Sequence, residues 1–226
     1  MKQTLAKRIG ALTLTALLGT ALQAAASGTT SGDHSHDHAH DHSHADAQQK
    51  QIYKGYFEDS QIAPRPLSDW EGDWQSVFPY LMDGTLDPVM ADKAAHGSKT
   101  AEGYKAYYQI GYQTDVDRIV IDGDQVSFHT GDNVVTGTYA DDGYEVLTYK
   151  KGNRGVRFVF AKTAGDDDAP GFIQFSDHAI APNKAGHYHL YWGDDRAALL
   201  QEVTNWPTYY PSTLSGDQIV HEMMAH

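Results

Sequence analysis

Three histidines toward the end of the chain are spaced for metal chemistry. His187 and His189 flank Tyr188, and His178 stands upstream across the loop Ala181 to Gly186. On a strand, residues i and i+2 point to one face, so the two imidazoles of the His-Tyr-His run project together. A hairpin that pairs Ala181 with Gly186 sets His178 opposite His189 and Ile180 opposite His187, and all three imidazoles then share a face. Slipping the register by two residues preserves this; slipping by one destroys it. Three convergent neutral imidazoles leave a fourth position open. That suits Zn2+, which takes nitrogen at about 2.0–2.1 Å in tetrahedral geometry. Cd2+, Ni2+, Co2+ and Cu2+ compete for the same donors, because site chemistry alone selects weakly among them.

A second group of histidines has a different character. His34, His36, His38, His40, His42 and His44 alternate with Asp33, Asp37, Asp41 and small residues, inside a low-complexity stretch over 27–50. Such a stretch cannot bury enough apolar surface to offset its ordering entropy, so a disordered metal-binding tail is expected. Tethering keeps its imidazoles concentrated near the folded site, as a collecting arm and a source of the fourth ligand. His96 and His129 are isolated and read as surface or hydrogen-bonded residues. His221 and His226 fall in a terminal helical pattern and could form a minor surface site. Asp177 points to the strand face opposite His178, so direct ligation is not expected of it. Asp166, Asp167 and Asp168 read as a solvated loop.

Composition narrows the field. The chain has 226 residues, with 17 Lys and Arg against 30 Asp and Glu and a formal net charge of −13. A surface of that sign disfavours nucleic acid and anionic membrane as partners and favours cations. The absence of cysteine excludes disulfides, thiolate metal sites, CxxC redox chemistry and a lipobox. Lys2, Lys7 and Arg8, the apolar run Ile9 to Leu22, and Ala24 to Ala26 make residues 1–26 a secretory signal peptide. Its removal would leave an even more acidic protein in the periplasm. No later stretch is apolar for long enough to span a bilayer, so no membrane association is expected after cleavage.

The elements that must position the histidines lie in one domain over 51–226. Its first third reads as helical or irregular, with a helix start at Asp87-Pro88 and a stripe of Tyr104, Tyr107, Tyr108 and Ile110 following Ser98 and Thr100. Short β-branched and aromatic runs follow at 118–121, 125–128, 134–139, 144–149 and 155–160. Turn residues separate them at Asp122-Gly123-Asp124, Asp142-Gly143 and 152–155. Two further strands cover 172–180 and 187–192. Helix returns at the end, with Asp194 as a cap for 196–203 and a capping box of Ser215 and Gln218. Seven or so antiparallel strands in succession predict an up-and-down barrel or a sandwich with helices at one end.

Several long runs then resemble one family. LSDWEGDWQSVFPYLMDGTLDPVM at 67–90, DGYEVLTYKKGNRGVRFVF at 142–160, QFSDHAIAPNKAGHYHLYWGDD at 174–195 and WPTYYP at 206–211 are similar to the ZinT (YodA) family of periplasmic zinc-binding proteins. The resemblance implies a mainly β fold with added α: a calycin (lipocalin-like) antiparallel β-barrel with flanking helices and a metal near the barrel mouth. It implies zinc as the bound ion, with cadmium as an alternative. It also implies a role in zinc uptake beside the zinc-binding component of an ABC importer. The family's three histidine ligands fall on His178, His187 and His189, the residues the strand geometry selects. The resemblance also implies a cysteine pair, near whose places this chain has Gly137 and Lys162; that bears on stability and not on ligation. The fourth ligand stays open among water, an anion, a tail histidine and a group from a neighbouring molecule.

Three functions fit this reading in different degrees. The first is a non-catalytic metal-capture protein. The second is a zinc hydrolase or hydratase, since zinc on three histidines can lower the pKa of bound water to about 7; no HExxH or Gly-x-Ser-x-Gly motif supports it. The third is a lipocalin-type carrier of small apolar molecules, suggested by architecture alone.

Overall fold

The structure is a computed structural model and describes residues 47–225. The signal peptide expected at 1–26 and the six tail histidines lie outside the described residues. Helix α1 over 47–53 straddles the domain start expected at Gln51. Two 3-10 turns follow, Asp59–Gln61 and Leu67–Trp70, and then strand β1, Gly72–Ser76. Helices α2 (Phe78–Met82), α3 (Asp87–His96) and α4 (Ala101–Tyr112) form one layer. Strands β2 (Arg118–Asp122), β3 (Gln125–Thr130), β4 (Asn133–Thr148), β5 (Arg154–Gly165), β6 (Phe172–Ser176) and β7 (Tyr188–Gly193) come next. Helix α5 (Arg196–Gln201), strand β8 (Thr208–Pro211) and helix α6 (Gly216–Ala225) complete the chain. The eight strands pair antiparallel in chain order, and β1 pairs with β8 to close the barrel. Closure leaves no exposed sheet edge.

The two-residue period of each strand divides its side chains between two cores. Inward residues Trp74, Phe158, Phe175, Tyr188, Leu190 and Tyr209 meet in the bore with Trp70. Trp70 stacks on Phe175 with ring centroids 4.6 Å apart. Each such side chain contributes about 1.5–3 kcal/mol by leaving water. The bore is therefore a packed interior, not a chamber for an apolar ligand. On the outside of β7, β8 and β1, the helices build a second core from Leu81, Leu86, Met90, Tyr112, Tyr210 and Ile219. Gly111 makes the α4 approach to the barrel feasible, because a Cβ there would meet the Trp206 ring at 2.3 Å.

A buried guanidinium organises the loop between β6 and β7. The Arg65 side chain is fully buried, lying 4.1 Å over the Trp70 ring. It donates to Asp69 at 2.8 Å, to Asp177 at 2.5 Å and to the Asn183 carbonyl at 2.6 Å. Asp69 in turn accepts the Asn183 amide at 2.8 Å, and its own carbonyl accepts the Ala185 amide at 2.9 Å. Both flanks of the loop are thereby tied to one segment of the chain near Arg65.

Several sequence expectations are corrected. The runs at 134–139 and 144–149 form one strand, β4. Asp142-Gly143 is a bulge where the register with β5 shifts, not a hairpin turn. Gly143 takes φ +83 there and donates to the Asp141 carboxylate at 3.0 Å. Such a bulge bends the strand, as barrel closure requires. Strands β1 and β8 occupy segments read as irregular or helical. Polar Asp73 and Gln75 hide the first, and Pro207 and Pro211 bracket the second. Strand β6 ends at Ser176, well short of 180. Asp195 caps α5 by accepting from Ala197 and Ala198, whereas Asp194 accepts from Gly171. Ile110 faces solvent and Tyr107 is half exposed, so the inner α4 stripe runs through Tyr104, Tyr108 and Tyr112 instead. The Ser215–Gln218 capping box forms as expected, with hydrogen bonds of 2.8 and 3.3 Å. Gly137 pairs with Gly165 and Lys162 with Tyr139. The Lys162 ammonium holds the carbonyls of Asp166 and Ala169 at 3.0 and 2.6 Å, a non-covalent tie at that end of the barrel.

Replacing Arg65 with Met would retain volume but leave Asp177 buried without its cation. The expected loss is about 3–5 kcal/mol of unfolding free energy in urea denaturation. A variant as stable as the parent would remove Arg65 as the organiser of this loop.

Candidate metal centre

His187 and His189 belong to the outer face of β7, because Tyr188 and Leu190 between and beyond them enter the bore. The rings sit on the outer side of the wall, at the end of the barrel where β6 stops and β7 begins, beside the helical layer. Strand β7 pairs Ser176 with His189, two residues out of register from the expected hairpin. The shift is even, so the face is preserved. His178 reaches the same place by a different route than expected. It lies beyond the end of β6, at φ +67, a left-handed conformation uncommon for a residue with a Cβ. Asp177, held by Arg65, also accepts the Ala179 amide at 3.2 Å and so closes the turn that carries His178. This leaves Asp177 engaged away from the three rings.

The three imidazoles converge. Ring centroids are 6.2 Å apart for His178 and His187, 5.9 Å for His178 and His189, and 6.2 Å for His187 and His189. Nitrogens bonded at about 2.0–2.1 Å to one tetrahedral zinc would hold centroids about 5.2 Å apart. The trio is thus slightly open, and among the described residues no group of His, Cys, Asp and Glu stands in finished metal-holding geometry. Rotation about χ1 and χ2 is sufficient to close a gap of roughly 1 Å. Tyr53 of α1 stacks on His178 at 4.4 Å, and Tyr210 of β8 stacks on His187 at 5.0 Å and 10°. Burial raises the pKa of both phenols, so each stays neutral and acts as a wall for its imidazole.

His189 has a defined tautomer. Its Nδ1 lies 2.8 Å from the Thr208 hydroxyl, which itself donates to the Trp206 carbonyl at 2.9 Å. A hydroxyl with its one proton committed can only accept, so Nδ1 donates and Nε2 carries the free lone pair. That is how a metal-ligating histidine is normally oriented. Burial holds the His189 pKa well below 6.5, and the nearby His178, His187 and Arg157 lower it further. His189 is therefore neutral at pH 7, ready to donate an electron pair.

The other histidines stay apart from this group. His96 is exposed on α3 with Nδ1 3.0 Å from the Asp92 carbonyl. His129 lies on β3 opposite Arg118, and His221 is exposed on α6. His226 falls outside the described residues. In the 166–168 loop, the Asp166 carboxylate accepts the Thr136 amide at 2.8 Å. Sequence reasoning missed Thr208, Tyr210, Tyr53 and Arg65 as the residues that orient the three rings. The run WPTYYP contains two of them, but without β8 as a strand their alignment with β7 was not readable.

Comparison with known proteins identifies the family of the chain. The family model described as ZinT (YodA) periplasmic lipocalin-like zinc-recruitment matches residues 48–226. The chain is 62% identical over 182 residues to the probable metal-binding protein YrpE of Bacillus subtilis, covering 80% of this chain and 72% of that protein. It is 52% identical over 184 residues to the zinc-binding protein AdcA of Streptococcus pyogenes serotype M1, covering 78% of this chain. It spans only 35% of that AdcA. The crystal structure of the Zn(II)-bound ZinT-like domain of Streptococcus pneumoniae AdcA superposes with a TM-score of 0.74 at 49% identity. The match covers 76% of this chain and 97% of that domain. With a matching family model over the whole described domain, and an eight-stranded barrel that superposes on a solved member domain, this chain belongs to the ZinT (YodA) family.

Proposed function

We propose that this protein captures zinc on His178, His187 and His189 and supplies it to a zinc importer of the ABC type, working outside the cytoplasm. The observation that carries the reading is the convergence of the three rings, with centroids 5.9–6.2 Å apart, on the wall between barrel and helices. The donor set is chemically suited to Zn2+ and admits Cd2+ and other borderline ions. The family's zinc-recruitment description and the Zn(II)-bound ZinT-like domain of the pneumococcal AdcA support the choice of ion. The family description also supports the periplasm as the compartment, reached through the signal at 1–26. The tail histidines His34 to His44 act as an arm that gathers metal for the folded site. The protein is a binder and not a hydrolase on this reading, since among the described residues neither cleft beside the rings is lined by an Asp or Glu that could serve as general base.

Three measurements test it. In calorimetry, the parent should take up more than one zinc per chain. A variant with the six tail histidines changed to Ala should take up about one, and adding His178→Ala, His187→Ala and His189→Ala should abolish tight binding. Tight binding that survives the triple change would defeat the assignment. Thr208→Val removes the acceptor that orients His189, and zinc affinity should fall about 10- to 100-fold. An unchanged affinity would mean the hydroxyl has no orienting role.

Proton linkage provides the third. His189 resists protonation in the folded chain, while an unfolded histidine binds a proton near pH 6.5. Between that pH and the lower folded value the unfolded state holds more protons, so stability of the metal-free protein falls as pH drops below about 6.5. Unfolding free energies at pH 7.5 and pH 5.5 should differ in the parent by more than in His189→Gln. Equal differences would refute the contribution of His189.

A further inference from the structure

Two contiguous clefts open beside the three rings. One, of about 310 Å³, is lined by all three histidines together with Lys93 and several tyrosines. The other, of about 360 Å³, shares His178 and His189 and is lined by Lys54, Arg154 and Arg157. Among the described residues, no Asp or Glu lines either cleft. In a chain carrying 30 acidic residues and a formal net charge of −13, the surroundings of a cation site are lined by cations.

Only Arg154 among these four has a carboxylate within ion-pair distance among the described residues, Asp59 at 2.5 Å. Arg157 is 1% exposed and donates to the carbonyls of Leu199 and Glu202 at 3.0 and 2.8 Å, while its Nε has no acceptor. The Glu202 carboxylate is engaged instead by the amides of Thr204 and Asn205. Lys93 is partly buried on α3, with its ammonium 5.6 Å from the centre of the Tyr108 ring. A divalent ion on three neutral imidazoles would add two more positive charges to this half-open, cation-lined region. Uncompensated like charges around one cleft repel each other, the more so where its walls exclude water. An anion entering with the metal removes the conflict. Carboxylate oxygen is an ordinary zinc donor at about 2.0–2.2 Å.

We infer that the cleft binds a small organic dicarboxylate together with the metal, one carboxylate on the ion's open position and the other on the Lys93 ammonium. The inference rests on the three-histidine reading of the metal site. Lys54 and Arg157 in the adjoining cleft strengthen the positive field without needing direct contact. The site thus takes metal and anion as a pair, and the anion's second carboxylate decides which anion is retained.

The test uses the full chain after signal removal, loaded with one equivalent of Co2+, whose visible bands report the coordination sphere. Failure to develop tetrahedral bands before any anion is added would overturn the metal site itself, and is read separately. Malonate is then titrated, with acetate as the single-carboxylate control. The expected result is a saturable band shift whose midpoint for malonate is at least about tenfold lower than for acetate, since a charged ammonium–carboxylate hydrogen bond is worth about that much. Lys93→Met, which keeps an apolar stem against Tyr108, should raise the malonate midpoint by about the same factor. No shift with malonate, equal midpoints for the two anions, or a Lys93→Met midpoint unchanged from the parent would each overturn the inference. So would a tail source: if changing Asp33, Asp37 and Asp41 to Asn alters the bands before malonate is added, the chain's own carboxylates fill the position.

Discussion

The two-residue period of β7 is the constraint on which the rest of the molecule depends. Tyr188 and Leu190 are fully buried in the bore, and that commits His187 and His189 to the outer wall. One strand therefore contributes to the barrel core with one face and presents imidazoles with the other. The bore needs its aromatic packing for stability, so the outer face is where polar donors can be placed without leaving a cavity or a buried unpaired group. Neighbouring strand β8, helix α1 and the segment before β8 then supply what β7 lacks. Tyr210 and Tyr53 flank the rings, and Trp206, seated against Gly111, borders both clefts.

The third ring needs a different device. His178 lies past the end of β6, where no ladder holds the backbone, and its left-handed conformation is costly unless the surroundings enforce it. Arg65 enforces it through Asp177, a contact spanning 112 residues of sequence. The same guanidinium binds the Asn183 carbonyl on the far side of the loop. A buried cation of this kind is weak evidence for stability in itself, since an apolar replacement of all partners can serve as well. Its value here is geometric: it sets the path of the segment that leads from His178 to His187.

What the sequence made readable was local or periodic. The shared face of His187 and His189 follows from spacing alone, and the capping box at Ser215 and Gln218 follows from a four-residue pattern. The meander of strands with tight turns was legible for β2, β3 and β5. Illegible features depended on partners far along the chain. Whether the histidine face of β7 points in or out cannot be read from β7, because Tyr188, Leu190 and Trp192 alternate with His187, His189 and Tyr191, and both sets can be buried. Strands β1 and β8 are short and polar or proline-bounded, and they exist because closure pairs them with each other. The bulge at Asp141–Tyr144 looks like a hairpin turn in sequence; only pairing with β5 on both sides of it makes it a bend within one strand.

The distribution of charge bears on which ions such a wall would hold. The acidic exterior attracts every cation over roughly the screening length of about 8–10 Å and does not discriminate among them. Discrimination falls to the inner donors. Ca2+ requires six to eight oxygens, and Mg2+ an octahedral shell that it surrenders reluctantly. Among the described residues the clefts hold three imidazoles and no carboxylate, so hard divalent ions drawn to the surface would find no shell there to exchange for their water. A borderline ion would find three nitrogens, one of them already set in its donor tautomer by Thr208. Keeping carboxylates out of the cleft thus serves selectivity, and the absence of fixed negative charge keeps the ion's release within reach of a competing ligand.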